Sequence, residues 1–219
     1  MGTITRNFAN NLTTSGLLKS TAFNNDSFDN VTAVPSGSVE TGDMQFISSA
    51  TASASASIEF TSSIDSTYKE YVFYFVNMHP SDDNAILQFN MSTDGGSNYN
   101  VTKTSTAFRA SHPENDAFTF LGYQGSYDLA QGTGFQPLTL EDGNENDECS
   151  SGSLTLFNPS STTFVKHFIS RFASTTYFPE IHDVFVAGYG NTTSSIDAIK
   201  FQYDSGNIDS GQILLFGIN

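Results

Sequence analysis

From residue 43 onward the chain is a succession of short apolar runs separated by clusters of turn residues, and nowhere does a 3.6-residue period take over. Runs of this length, bounded by Gly, Asn, Asp, Ser and Pro, read as β-strands. With no amphipathic segments long enough for crossover helices, parallel pairing is disfavoured. The strand readings fall at 44–48, 52–60, 71–78, 85–91, 99–108, 117–123, 152–157, 163–172, 183–188, 196–203 and 212–218. YVFYFVNM at 71–78 is the most apolar and reads as a central strand, whereas ASASASIEF at 52–60 alternates small and polar residues, as an edge strand does. TDGGSN at 93–98 reads as a hairpin connection. Regular spacing of this kind predicts an all-β fold, an antiparallel two-sheet β-sandwich with a jelly-roll-like arrangement. SGSLTLFN at 151–158 is echoed by SGQILLFG at 210–217, but no fixed period of a solenoid or propeller emerges.

The first 40 residues depart from this grammar. Thr, Asn and Ser dominate, apolar residues such as Phe8, Phe23 and Phe28 are too far apart for a core strand, and Pro35-Ser36-Gly37 punctuates the end. The expectation is an extended N-terminal attachment arm over 1–40 and a β-sandwich domain over 41–219. The last run raises a question of coverage. In a strand over 212–218, Ile213, Leu215 and Gly217 face one way and Leu214, Phe216 and Ile218 the other, and both sets are apolar. A sandwich covers one face of a strand, so the other needs a loop, the arm or another subunit. We expect Ile213 and Leu215 in the core, and Leu214, Phe216 and Ile218, together with Phe8, Phe23 and Phe28 of the arm, at a subunit interface. Sequence alone leaves open which set faces which way.

Eight Lys and Arg against 23 Asp and Glu give a net charge of −15. A nucleic-acid ligand demands a basic footprint that is missing here, and anionic membranes are repelled. The start of the chain is polar and lacks a basic-apolar leader, and no apolar run reaches membrane-spanning length, so synthesis in a cytosol without membrane insertion is expected. Cys149 is the only cysteine, which rules out an intrachain disulfide. No G-x-S-x-G, P-loop or C-x-x-C motif occurs and the four His stand far apart, so the chain is read as a non-enzyme. A glycosidase needs only two carboxylates that meet in space, and sequence does not reveal such a meeting. The acidic loop EDGNENDE at 141–148 carries hard oxygen donors of the kind Ca²⁺ takes, with Asp142, Asn144, Asn146 and Asp147 as candidate ligands, although the EF-hand order is not matched. No other cofactor is expected.

Several segments together resemble a known group. MGTITRNFANN, FNNDSFDNVTAVP, IDSTYKEYVFYFVNMHP, LFNPSSTTFVKHFIS and the closing SGNIDSGQILLFGIN are similar to stretches of virion structural proteins of marine tailed bacteriophages, of fibre or head-decoration type. The resemblance covers most of the chain and implies a non-enzymatic protein on the virion surface, made in the host cytoplasm. It further implies a homo-oligomer, often a trimer, held to other virion proteins through the arm. The role it implies is a tail-fibre or receptor-binding module, contacting a host surface glycan or protein, or a head decoration (cement) protein. It carries over no catalytic residue. The alternative reading of the residues is a calcium-dependent carbohydrate-binding module that uses Tyr and Phe faces and the 141–148 loop.

Overall fold

The computed structural model describes residues 44–219, so the arm over 1–40, with Phe8, Phe23 and Phe28, lies outside the described residues. Twelve strands make up the described fold, with no helix among them: β1 (Met44–Thr51), β2 (Ile58–Phe60), β3 (Glu70–Pro80), β4 (Leu87–Ser92), β5 (Lys103–Pro113), β6 (Phe120–Tyr123), β7 (Gln136–Pro137), β8 (Ser150–Phe157), β9 (Lys166–Thr175), β10 (Glu180–Gly190), β11 (Ala198–Tyr203) and β12 (Ile208–Ile218). They form an eight-stranded sheet in the order β1-β12-β3-β8-β9-β10-β5-β6 and a four-stranded sheet in the order β2-β11-β4-β7. Every pairing is antiparallel. The all-β, two-sheet antiparallel architecture expected from the spacing of the runs is present.

Aromatic rings hold the sheets together. Phe201 of β11 meets Phe73 and Phe75 of β3 at centroid separations of 5.3 and 5.0 Å, and Phe89 of β4 meets Phe168 of β9 at 5.1 Å, all close to edge-to-face. All five rings are buried. This explains the many Phe and absent Trp: a flat ring without a polar atom fills a two-sheet core without needing a hydrogen-bond partner, and each favourable ring pair adds about 0.5–1.5 kcal/mol beyond its buried area.

β3 lies inside the large sheet between β12 and β8, as its apolar run predicts. The two echoed segments are the strands that flank it. Phe73 is opposite Leu215 on one side and Leu154 on the other, so each copy of the pattern sends one of its leucines beside Phe73 into the same core. Two sequence readings are corrected. The turn at 93–98 does not close a hairpin: β4 belongs to the small sheet and β5 to the large one, so the chain crosses between layers there. Only the last part of 52–60 is a strand, since β2 begins at Ile58. The preceding residues bend past β12 with a single bridge from Ser55 to Ile208, because small alternating side chains give no apolar face to bury. β2 is nonetheless an edge strand, pairing only with β11.

Candidate functional site

The terminal strand settles which face is which. Ile213 and Leu215 are fully buried beneath the small sheet, whereas Leu214, Phe216 and Ile218 point to the outer face of the large sheet and are half-buried. Their cover within the chain comes from cross-strand neighbours. Phe216 packs edge-on against Phe46 of β1 (5.6 Å) and Tyr74 of β3 (5.7 Å), a three-ring row across the sheet. Phe46 is 57% exposed and Tyr74 39%, so the row is open to solvent on its outer side.

A second apolar region lies on the same face, across the Ser153 and Thr155 column of β8. Residues directly opposite in an antiparallel pair share a face, and the register places Ile169 (β9) opposite Ala187 (β10), and Phe185 (β10) opposite Phe108 (β5), which in turn is opposite Tyr123 of β6. Ile169, Phe108 and Tyr123 are all exposed. Phe185 and Phe108 stack with rings 5° from parallel at 5.0 Å. The Arg171 guanidinium lies 4.6 Å over Phe185 and binds Asp183 through both carboxylate oxygens (3.0 and 2.8 Å), so the central charges on this face cancel. A chain of net charge −15 thus presents one broad face on which two apolar regions flank a polar column and the central charges are paired.

A pocket lies on the inner side, near β5 and β10. Its volume is about 590 Å³, within the range of small-molecule sites. Phe118, Phe178, Pro113 and Pro179 supply apolar walls, and Arg109, Glu141 and Glu180 the polar ones. Arg109 Nη1 donates to Glu141 Oε2 (2.7 Å), and its guanidinium lies 5.5 Å over Phe120. Glu180 and His182 sit two apart on β10 and so project to one face. Glu180 Oε1 is 2.8 Å from His182 Nε2, and His182 Nδ1 is 3.2 Å from the Leu140 carbonyl. That carbonyl can only accept, so the hydrogen-bond network assigns a hydrogen to Nδ1. Glu141, Glu180 and His182 have donor atoms within 4.8 Å of one another, a set that suits a transition metal. Both carboxylates are already engaged, one by Arg109 and one by the imidazole. The chemistry on offer is recognition of a ligand that stacks on aromatic rings and hydrogen-bonds to carboxylate and guanidinium.

The acidic loop places its four candidate ligands in different surroundings. Asp142 is fully buried and turns its carboxylate into the core, where it accepts hydrogen bonds from Thr139 (2.8 Å), Tyr203 (3.2 Å) and Ser174. Burial pushes its pKa up to about 6, against the opposing pull of those hydroxyls. Asn144 donates to the Ser81 carbonyl (3.1 Å), and Asn146 and Asp147 are exposed. The Glu180-x-His182 spacing was a readable signal for a titratable pair on one strand face, of which Glu180 lines the pocket and His182 is buried behind it. Arg109 and Glu141 join it from a distant strand and a loop, which no local pattern announces.

No protein-family model matches the chain, and comparisons with curated proteins and with solved structures likewise give no match.

Proposed function

We propose that this is a non-enzymatic structural protein of a bacteriophage virion, displayed on the particle exterior as a tail-fibre or receptor-binding module or as a head decoration protein. The outer face of its eight-stranded sheet is where a second copy docks, and the closed assembly is a homo-oligomer, a trimer. The supporting observation is that outer face. Exposed apolar patches rimmed by polar residues mark interaction sites. Copies of a strongly acidic chain repel one another everywhere except where charge is sparse, and the Phe46–Phe216–Tyr74 row and the Ile169 and Phe108 region form such a place. The virion assignment rests on the sequence resemblance, and attachment through residues 1–40 goes with it.

Light scattering on the eluting full-length chain tests the self-association. The expected result is a multiple of 23.7 kDa for the native chain, and a folded monomer for a Phe46→Lys/Ile169→Lys double variant. A native chain that stays monomeric at tens of micromolar, a concentration where specific interfaces of standard size are saturated, overturns the docking face. Stoichiometry against the major capsid protein in purified particles then separates decoration from tail.

A second reading is favoured by the pocket, whose aromatic walls beside Arg109, Glu141 and Glu180 suit a carbohydrate. Glycan-array binding lost on Phe178→Ala supports it, and a flat array removes it.

A further inference from the structure

Lys103 opens β5 in the large sheet, and Asn90 lies in β4 of the small one. Both side chains are wholly buried, Asn90 on the face of its sheet that turns away from Phe89 and Met91, beneath the Tyr99 and Thr133 loops. A lysine in such a place ordinarily has a carboxylate partner. Among the described residues, none lies within ion-pair distance of Lys103. Its Nζ instead stands 2.5 Å from Asn90 Oδ1, at the short limit for such a contact, and 2.8 Å from the Val101 carbonyl. Desolvation without a counter-charge pushes the amine down to about 7, so a large share of it is the neutral, nucleophilic form near neutral pH.

The carboxamide it faces is immobilised. Asn90 Nδ2 donates to the carbonyls of Tyr99 (2.7 Å) and Thr133 (3.0 Å), and Oδ1 also accepts from the backbone N–H of Met91 (2.9 Å). An amine and a carboxamide held in contact by packing need only a small shift, from Oδ1 to the neighbouring Cγ, to reach the proximity that acyl transfer requires. The Met91 N–H lies at the oxygen on which negative charge develops.

We propose that Lys103 and Asn90 condense to an intramolecular isopeptide bond that joins the two sheets covalently. The Nζ lone pair attacks Cγ, forming the Nζ–Cγ bond while the carbonyl electron pair moves onto Oδ1. When the carbonyl re-forms, the Cγ–Nδ2 bond breaks, and Nδ2 leaves with a proton surrendered by Nζ. The products are a neutral secondary amide and one ammonia, and no oxidant or other co-reactant enters. Because no carboxylate among the described residues touches the pair to relay the proton, the transfer runs directly from Nζ to Nδ2, and the bond accumulates as the folded protein ages. The reaction removes an unpaired amine from the core. It also supplies the covalent link between layers that a chain with Cys149 as its only cysteine cannot obtain from an intrachain disulfide.

Intact-mass measurement of the denatured full-length protein is the test, on fresh material and after incubation of the folded protein at pH 8. The expected result is a growing species lighter by about 17 Da, the mass of the departing ammonia, with a digest containing a branched peptide that links Lys103 to Asn90. Lys103→Arg, which keeps the charge but lacks the attacking amine, stays at its full mass. A native chain that holds its full mass throughout overturns the proposal. So does a 17 Da loss without the branched peptide, which marks succinimide formation, or the same loss in Lys103→Arg.

Discussion

Asp142→Asn isolates the cost of a single buried carboxylate. The side chain is fully enclosed and hydrogen-bonded to Thr139, Tyr203 and Ser174, yet burial outweighs those bonds and raises its pKa from 3.8 to about 6. A group whose folded pKa is raised favours the folded state in its protonated form. Its stabilising contribution is fully present below about pH 3.8 and is lost as pH rises through about 6. A rise of roughly two units corresponds to about 3 kcal/mol at 1.36 kcal/mol per unit. Asn mimics the protonated acid and does not titrate, and the hydroxyls around it can rotate to accept from its amide. Equilibrium urea unfolding at pH 4 and pH 7.5, on native chain and variant, should show the native chain losing roughly 2–3 kcal/mol relative to Asp142→Asn between the two pH values. The variant reports every other titrating group equally, so the difference belongs to Asp142. Parallel pH profiles for the two proteins refute the reasoning and mean that the carboxylate ionises in contact with water.

Three further outcomes follow from the packing. Phe201→Ala empties the centre of the aromatic cluster, where Phe73 and Phe75 lie 5.3 and 5.0 Å away, and should cost about 3–5 kcal/mol in chemical denaturation. Gly211 is the bulged residue of β12, with φ of +124°, and a Cβ there would meet the Asn77 carbonyl at 2.8 Å and Met78 Cα at 2.9 Å. Gly211→Ala should therefore lower the melting temperature by several degrees, by backbone strain and clash together. Phe216→Ser removes the middle of the outer aromatic row, which is only half-buried within the chain. It should cost about 1–3 kcal/mol in urea, the worth of two ring pairs, leaving a folded monomer while weakening self-association in sedimentation.

Local pattern was enough to locate most of the described strands, though not the two-residue β7 or the true start of β2, and to tell central from edge positions for some of them. Alternation and turn clusters depend on a residue and its near neighbours, which is why the apolar run at 71–78 could be recognised as a central strand and 212–218 as a strand with two apolar faces. Partition into layers was a different matter. The chain passes from β4 to β5 through a turn that looks like a hairpin, and only the long-range pairing of β4 with β11 and of β5 with β10 assigns those strands to opposite sheets. The same holds for the polar chemistry. Asp142 belongs to an acidic, loop-like stretch in sequence, yet it is buried because Thr139, Ser174 and Tyr203, up to 61 residues away, come together around it. Lys103 finds Asn90 and Arg109 finds Glu141 by the same kind of long-range approach. Charge and hydrogen-bond partners are set by distances in three dimensions, so the tertiary structure alone decided which polar residues lie in the core, which line a pocket, and which face of the last strand was left open.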